Sequence, residues 1–208
     1  MKSKFKQIFS PFIWKSTVNE HNEIKDYIMP IIDDYQTNTV NSPDWPVDTS
    51  YESGYDIEWW PCIKHYKNYV NDFHTEYFGY NPNWEIIGQP WYTSYKREQM
   101  AQMHEHIPDH FSVLHILKFS DLHHEPIVFI NPEEKLIKSN YIRGEFLQTL
   151  EKSESHRGTD GYFNLWHHAE IVESNILIWP STLQHFVPKS KSDERRITIA
   201  FNYNITES

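Results

Sequence analysis

Residues 102–119 read Gln102-Met-His104-Glu-His106-Ile-Pro-Asp-His110-Phe-Ser-Val-Leu-His115-Ile-Leu-Lys-Phe119. Two histidines at i, i+2 open the stretch, a Pro-Asp break follows, and a run of β-branched, aromatic and aliphatic residues then predicts a strand over 111–119. In extended chain, residues i and i+2 share a face about 6.5–7 Å apart. A strand over 104–106 would therefore let both imidazoles converge on one ion. A second stretch answers it: Asn175-Ile-Leu-Ile-Trp179-Pro-Ser-Thr-Leu-Gln-His185-Phe-Val-Pro, then Asp193-Glu-Arg195-Arg196-Ile-Thr-Ile-Ala-Phe-Asn202. It offers a third histidine near a strand end and an arginine on the next strand. The two stretches together read as a metal site with an anion-binding arginine beside it.

Outward from these stretches the period changes. Phe5–Phe9 and Phe12–Val18 read as short strands. Over Asn19–Gln36, Ile24, Tyr27, Ile28, Ile31, Ile32 and Tyr35 recur at helical spacing, with Asn19 or Asn22 as a cap and Pro30 expected to kink or split the helix. Residues 37–56 read as a loop. A second helix begins at Pro61. Its stripe of Ile63, Tyr66, Val70, Phe73 and Tyr77 is expected to be core packed on the outside of a sheet, and Gly79 to end the helix. Strands are expected at Trp84–Ile87, Pro90–Lys96, Pro126–Ile130, Ala169–Val172, Asn175–Trp179, Gln184–Val187 and Arg196–Tyr203. Residues 133–165 are polar and aperiodic, with a short helix near Glu145–Lys152, and read as an insertion that closes over the site as a lid. Helices first and many short strands after predict an α+β chain with a β core. One domain is expected over 1–208, with 1–83 supporting a core over 84–203.

Composition narrows the function. The chain has 208 residues and a formal net charge of -10, with no long basic run. That argues against nucleic-acid binding by the whole surface. Six glycines argue against Gly-rich phosphate loops, and aromatics at 16% suit a core bordering a polar cavity. One cysteine, Cys62, excludes an internal disulfide and fits a reducing cytoplasm. The N-terminus is a poor signal peptide, and no apolar run reaches the length of a membrane span.

Thirteen histidines mean that most are ordinary. His21, His65, His74, His123, His124, His156, His167 and His168 read as surface or polar-loop residues, and His110 and His115 as possible cavity lining. In the strand 196–202, Arg196, Thr198, Ala200 and Asn202 share a small, polar face, while Ile197, Ile199 and Phe201 share an apolar one. Arg196 is thus the candidate carboxylate clamp, and Arg195 a surface ion pair with Asp193 or Glu194. Trp91, Thr93 and Tyr95 share a face that can line the same cavity. Tyr95 reads equally well as a core tyrosine.

The pattern His104-x-His106-x-Pro-x-x-Phe-Ser112, then Phe129 and Pro132, Trp179-Pro-Ser181, His185 and Arg196-Ile-Thr-Ile-Ala-Phe-Asn202, with Trp91 before it, resembles the iron(II)- and 2-oxoglutarate-dependent oxygenases. The resemblance is to a poorly characterised bacterial and phage branch, and it covers roughly residues 84–203. It implies a double-stranded β-helix (jelly roll) with helices on one outer face, an Fe(II) ion, and 2-oxoglutarate as co-substrate. It also implies decarboxylation of that co-substrate to succinate and CO₂, coupled to hydroxylation of a C–H bond in a small molecule or a side chain. His104, His106 and His185 would hold the metal, and Arg196 the co-substrate, with Thr198 and Tyr95 beside it. The wider superfamily uses two histidines and one carboxylate. His106 stands in the carboxylate position here, so Glu105, through a bulge, or Asp109, from the turn, remains an alternative third ligand. The rivals are a cupin-type metal enzyme without 2-oxoglutarate, which an outward-facing Arg196 would favour, and a non-catalytic jelly-roll binding module.

Overall fold

A computed structural model describes residues 11–38, 47–51, 56–132 and 166–206. The expected strand Phe5–Phe9, the insertion 133–165 with its helix and lid role, and His156 lie outside the described residues. In chain order the elements are β1 (Trp14–Thr17), α1 (His21–Asn38), β2 (Asp48–Thr49), α2 (Trp60–Phe78), β3 (Trp84–Tyr95), β4 (Ala101–His104), β5 (Phe111–Lys118), β6 (Val128–Ile130), β7 (Trp166–His168), β8 (Asn175–Pro180), β9 (His185–Val187) and β10 (Arg196–Ile205). They form a six-stranded sheet in the order β1-β8-β5-β10-β3-β2 and a four-stranded sheet in the order β4-β9-β6-β7.

The alternation along β10 decides which face does what. Ile197, Ile199, Phe201 and Tyr203 pack with Ile24, Ile28, Ile32, Tyr66, Val70 and Phe73 of the helices into one core. On the other face Leu114, Ile116, Leu177, Trp179 and Ala200 meet Ile127, Phe129, Leu183 and Val187 from the second sheet and its loops. The six-stranded sheet is therefore buried on both faces, helices on one side and the small sheet on the other. Burying a large aliphatic side chain contributes about 1.5–3 kcal/mol, so this two-sided core holds β5 and β10 rigidly in register. Thr198 pairs with Ile116 and Thr93, and Asn202 with Ser112.

Several boundaries differ from the sequence expectation, each for a physical reason. Pro30 does not split α1. Pro30 and Asp26, whose carbonyl it frees, both lie on the exposed side of the helix, where water replaces the lost bond. In α2 Pro falls in the first turn and Gly79 caps the end at φ 78°, its N–H donating to the Thr75 carbonyl. Tyr77 is 53% exposed instead of core, although its ring meets Phe12 at 4.3 Å. The two strands expected over 84–96 are one strand, β3, whose pairing with β10 slips between Ala200 and Asn202, next to Gly88 at φ 67°. The presumed loop 37–56 contributes β2, which pairs with β3. The strand expected at Ala169–Val172 lies earlier, at Trp166–His168, and Ala169 and Ile171 are buried in the following turn. Among the described residues no helix is long and apolar enough to cross a membrane.

Candidate metal centre

β4 ends at His104, so His106 lies beyond the strand, in the turn that leads to β5. The strand-face argument for the pair is thus corrected: a strand end and an anchored turn bring the imidazoles together. The His106 N–H donates to the Ser181 carbonyl at 2.9 Å, the Asp109 N–H to the His106 carbonyl at 3.0 Å, and the Ser181 N–H to the His110 carbonyl at 3.0 Å. His185 opens β9 and pairs with His104 across the small sheet. The three rings stand 4.3–5.2 Å apart between centroids, and one ligand nitrogen of each lies within 4.8 Å of the others.

Tautomers follow from the outer bonds. His104 donates Nδ1–H to the Gln102 carbonyl at 2.6 Å and His185 donates Nδ1–H to the Leu183 carbonyl at 2.9 Å. Each therefore keeps Nε2 as a lone-pair donor, the usual arrangement of a metal-ligating imidazole. Burial, with His104 adding to it, pushes the pKa of His106 down to about 4. Burial pushes His185 to about 3, His104 again adding to it. Both are neutral near pH 7, the form that binds a metal. Glu105 and Asp109 are outside this group of ligand atoms. Glu105 lines the cavity, while the Asp109 carboxylate accepts a hydrogen bond from Asn202 Nδ2 at 2.8 Å.

The triad opens on a cavity of about 390 Å³, into whose wall β10 sends Arg196, Thr198, Ala200 and Asn202 and β3 sends Trp91, Thr93 and Tyr95. That size is typical of a small-molecule site. Arg196 is 2% exposed. Its guanidinium carbon lies 5.1 Å from the Tyr95 ring centre, and none of its three nitrogens has a hydrogen-bond partner among the described residues. Burial lowers the Arg196 pKa and raises that of the Tyr95 phenol, which the guanidinium charge partly offsets. A buried, fork-shaped cation whose polar neighbour is the Tyr95 phenol, beside a nitrogen triad, is the donor set that fits a metal-chelated dicarboxylate. Trp179 closes the far side, its ring 5.1 Å from His185.

The other sequence candidates fall elsewhere. His115 is buried but lies behind the sheet, where the Tyr66 hydroxyl and His21 meet its two ring nitrogens at 2.7 and 3.0 Å. His110 is exposed, and its Nδ1 accepts the Ile205 N–H at 3.1 Å. His21, His74 and His124, expected at the surface, are buried, each with a hydrogen-bond partner distant in sequence. Arg195 pairs with Asp33 at 2.6 Å, not with Asp193 or Glu194. Asp193 instead takes Arg97 through two bonds of 3.0 Å. Sequence reasoning missed Val47, Thr49 and Met100, which also line the cavity; no periodicity marks the segments that carry them.

The family model described as "Putative 2OG-Fe(II) oxygenase" matches residues 89–202, which span both histidine stretches and Arg196. The chain belongs to this family of 2OG-Fe(II) oxygenases. Membership brings Fe(II) and 2-oxoglutarate as cofactors and makes oxidoreductase chemistry its class. A comparison with curated proteins finds no match. Among solved structures, the chain is similar to AviO1 from Streptomyces viridochromogenes (TM-score 0.59, 8% identity, 92% of this chain and 89% of that one). It is also similar to a Pseudomonas putida prolyl-4-hydroxylase (0.56, 9%, 94% and 93%). A third is HygX from Streptomyces hygroscopicus with nickel and 2-oxoglutarate bound (0.55, 10%, 93% and 83%). At these identities the likeness speaks for the fold, and the two facing sheets form a double-stranded β-helix core, as expected.

Proposed function

We propose that this oxygenase is an Fe(II)- and 2-oxoglutarate-dependent dioxygenase that hydroxylates a C–H bond of a small molecule or a side chain. His104, His106 and His185 would hold the metal through one nitrogen each, with no carboxylate ligand. The bound pair of metal and co-substrate supplies O₂ activation coupled to decarboxylation of 2-oxoglutarate. Everything else falls to the chain. The Gln102 and Leu183 carbonyls fix two ligand tautomers. Arg196 clamps the far carboxylate of the co-substrate, and Thr198 and Tyr95 flank it on the same wall. The sheets exclude water from the buried end, which strengthens that ion pair.

The observation that carries this reading is Arg196: a fully buried guanidinium without a hydrogen-bond partner among the described residues, facing the cavity that the triad opens on. The cupin-type rival fits an outward-facing arginine and loses ground for that reason. With Fe(II), O₂ and 2-oxoglutarate, the protein should form succinate slowly even without substrate. His185→Ala should abolish this succinate formation. Metal-dependent activity that needs no 2-oxoglutarate would return the cupin-type reading.

A further inference from the structure

The turn that carries His106 is fastened to β10 as well as to Ser181, just past the end of β8. Asn202 Nδ2 donates to Asp109 Oδ2 at 2.8 Å, and the Asp109 N–H in turn donates to the His106 carbonyl at 3.0 Å. One step further on, the His110 N–H donates to Asn204 Oδ1 at 2.7 Å. Asn202 is 7% exposed, and its own Oδ1 has no partner among the described residues. A carboxylate can only accept, so Asp109 fixes which end of the Asn202 amide faces it. We propose that Asn202, acting through Asp109, is the positioning residue for His106.

The proposal rests on the three-histidine reading of the metal site and deepens it. β10 then carries both anchors of the cavity on one face. Arg196 stands at one end for the co-substrate and Asn202 six residues on, about 20 Å at strand rise, for a metal ligand. His106 needs such an anchor because, unlike His104 and His185, it lies in no strand. The pairing also gives Asp109 a role other than ligation.

The test uses Co(II) alone as the probe, measured by its visible absorption in the full chain. Asn202→Ala and Asp109→Ala should each weaken Co(II) binding about tenfold, the scale of other outer-shell ligand contacts. The double variant should be no worse than either single one, because both break the same link. Asp109→Asn keeps an acceptor for the Asn202 amide and should bind Co(II) within about threefold of the parent. Thermal unfolding without metal identifies any variant that fails to fold, and Asp109→Ala, on a partly exposed turn, keeps the test open if Asn202→Ala does. Unchanged Co(II) affinity in folded Asn202→Ala overturns the proposal. So does a loss in Asp109→Asn as large as in Asp109→Ala, which would make Asp109 a ligand. If the parent does not bind Co(II), or His185→Ala binds it as well as the parent does, the failure belongs to the three-histidine site and not to this link.

Discussion

Replacing Arg196 by Met separates what the arginine costs the fold from what it gives the site. The guanidinium is 2% exposed and its nitrogens lack partners among the described residues. Burying an ion in that state costs several kcal/mol. The Tyr95 ring, 5.1 Å away, returns about 2 kcal/mol as a desolvated cation–π contact. The balance is a net cost of about 2 kcal/mol in protein without co-substrate. Met is long, apolar and able to fill the same channel. Arg196→Met should therefore raise the Tm of the free protein by about 4–8 °C, at about 2–4 °C per kcal/mol for a chain of this size. With 2-oxoglutarate that advantage is cancelled. At a concentration near 100 Kd the parent gains about 2.7 kcal/mol from binding. Losing a bidentate pair worth about 2 kcal/mol raises Kd about 30-fold, and the gain at the same concentration drops to about 0.9 kcal/mol. Calorimetric melts of both proteins, with and without 2-oxoglutarate and with a redox-inert divalent metal throughout, read both effects. A variant that melts below the parent without co-substrate would show that the guanidinium is satisfied in the free protein. An undiminished co-substrate shift would remove Arg196 from binding.

Three further outcomes follow from the scaffold. Burial, with His21 and Lys25 adding to it, lowers the pKa of His115 from 6.5 to about 3; the folded chain therefore binds fewer protons than the unfolded one between those values. Its stability contribution is complete above about pH 6.5 and falls by about 2 kcal/mol by pH 5, so parent melts should steepen with acid and those of His115→Gln should be flatter. Tyr66→Phe removes the hydroxyl that meets His115 Nδ1 at 2.7 Å, and should cost about 1–3 kcal/mol in denaturant unfolding without changing metal affinity. Gly79→Ala, at φ 78°, should cost about 1 kcal/mol by the same assay.

The face assignment of β10 was legible because period-2 alternation is local: Arg196, Thr198, Ala200 and Asn202 line the cavity, and Ile197, Ile199 and Phe201 pack under the helices. The histidine pair was legible as residues but not as geometry. A turn fastened by the Ser181 carbonyl and by the Asn202 side chain carries His106, and partners some seventy residues or more away leave no local signature. The same distance hid the buried histidines, since His21 bonds to His115 and His74 to Tyr203. It also hid the partner of Arg195, Asp33 on α1. β2 was invisible because two residues have no period to read. The alternatives Glu105 and Asp109 could be separated from His106 only by placing their carboxylates, and neither joins the triad's ligand atoms.

The central claim is that His104, His106 and His185 hold an Fe(II) ion which 2-oxoglutarate chelates while Arg196 grips its other end. Anaerobic titration of the protein with Fe(II) and then 2-oxoglutarate, followed by visible absorption, tests it most directly. A metal-to-co-substrate charge-transfer band should grow in with one equivalent of each for the parent. It should be absent in His185→Ala and need roughly 30-fold more 2-oxoglutarate in Arg196→Met, the factor that about 2 kcal/mol implies. No band in the parent, or an unchanged band in His185→Ala, would contradict the claim.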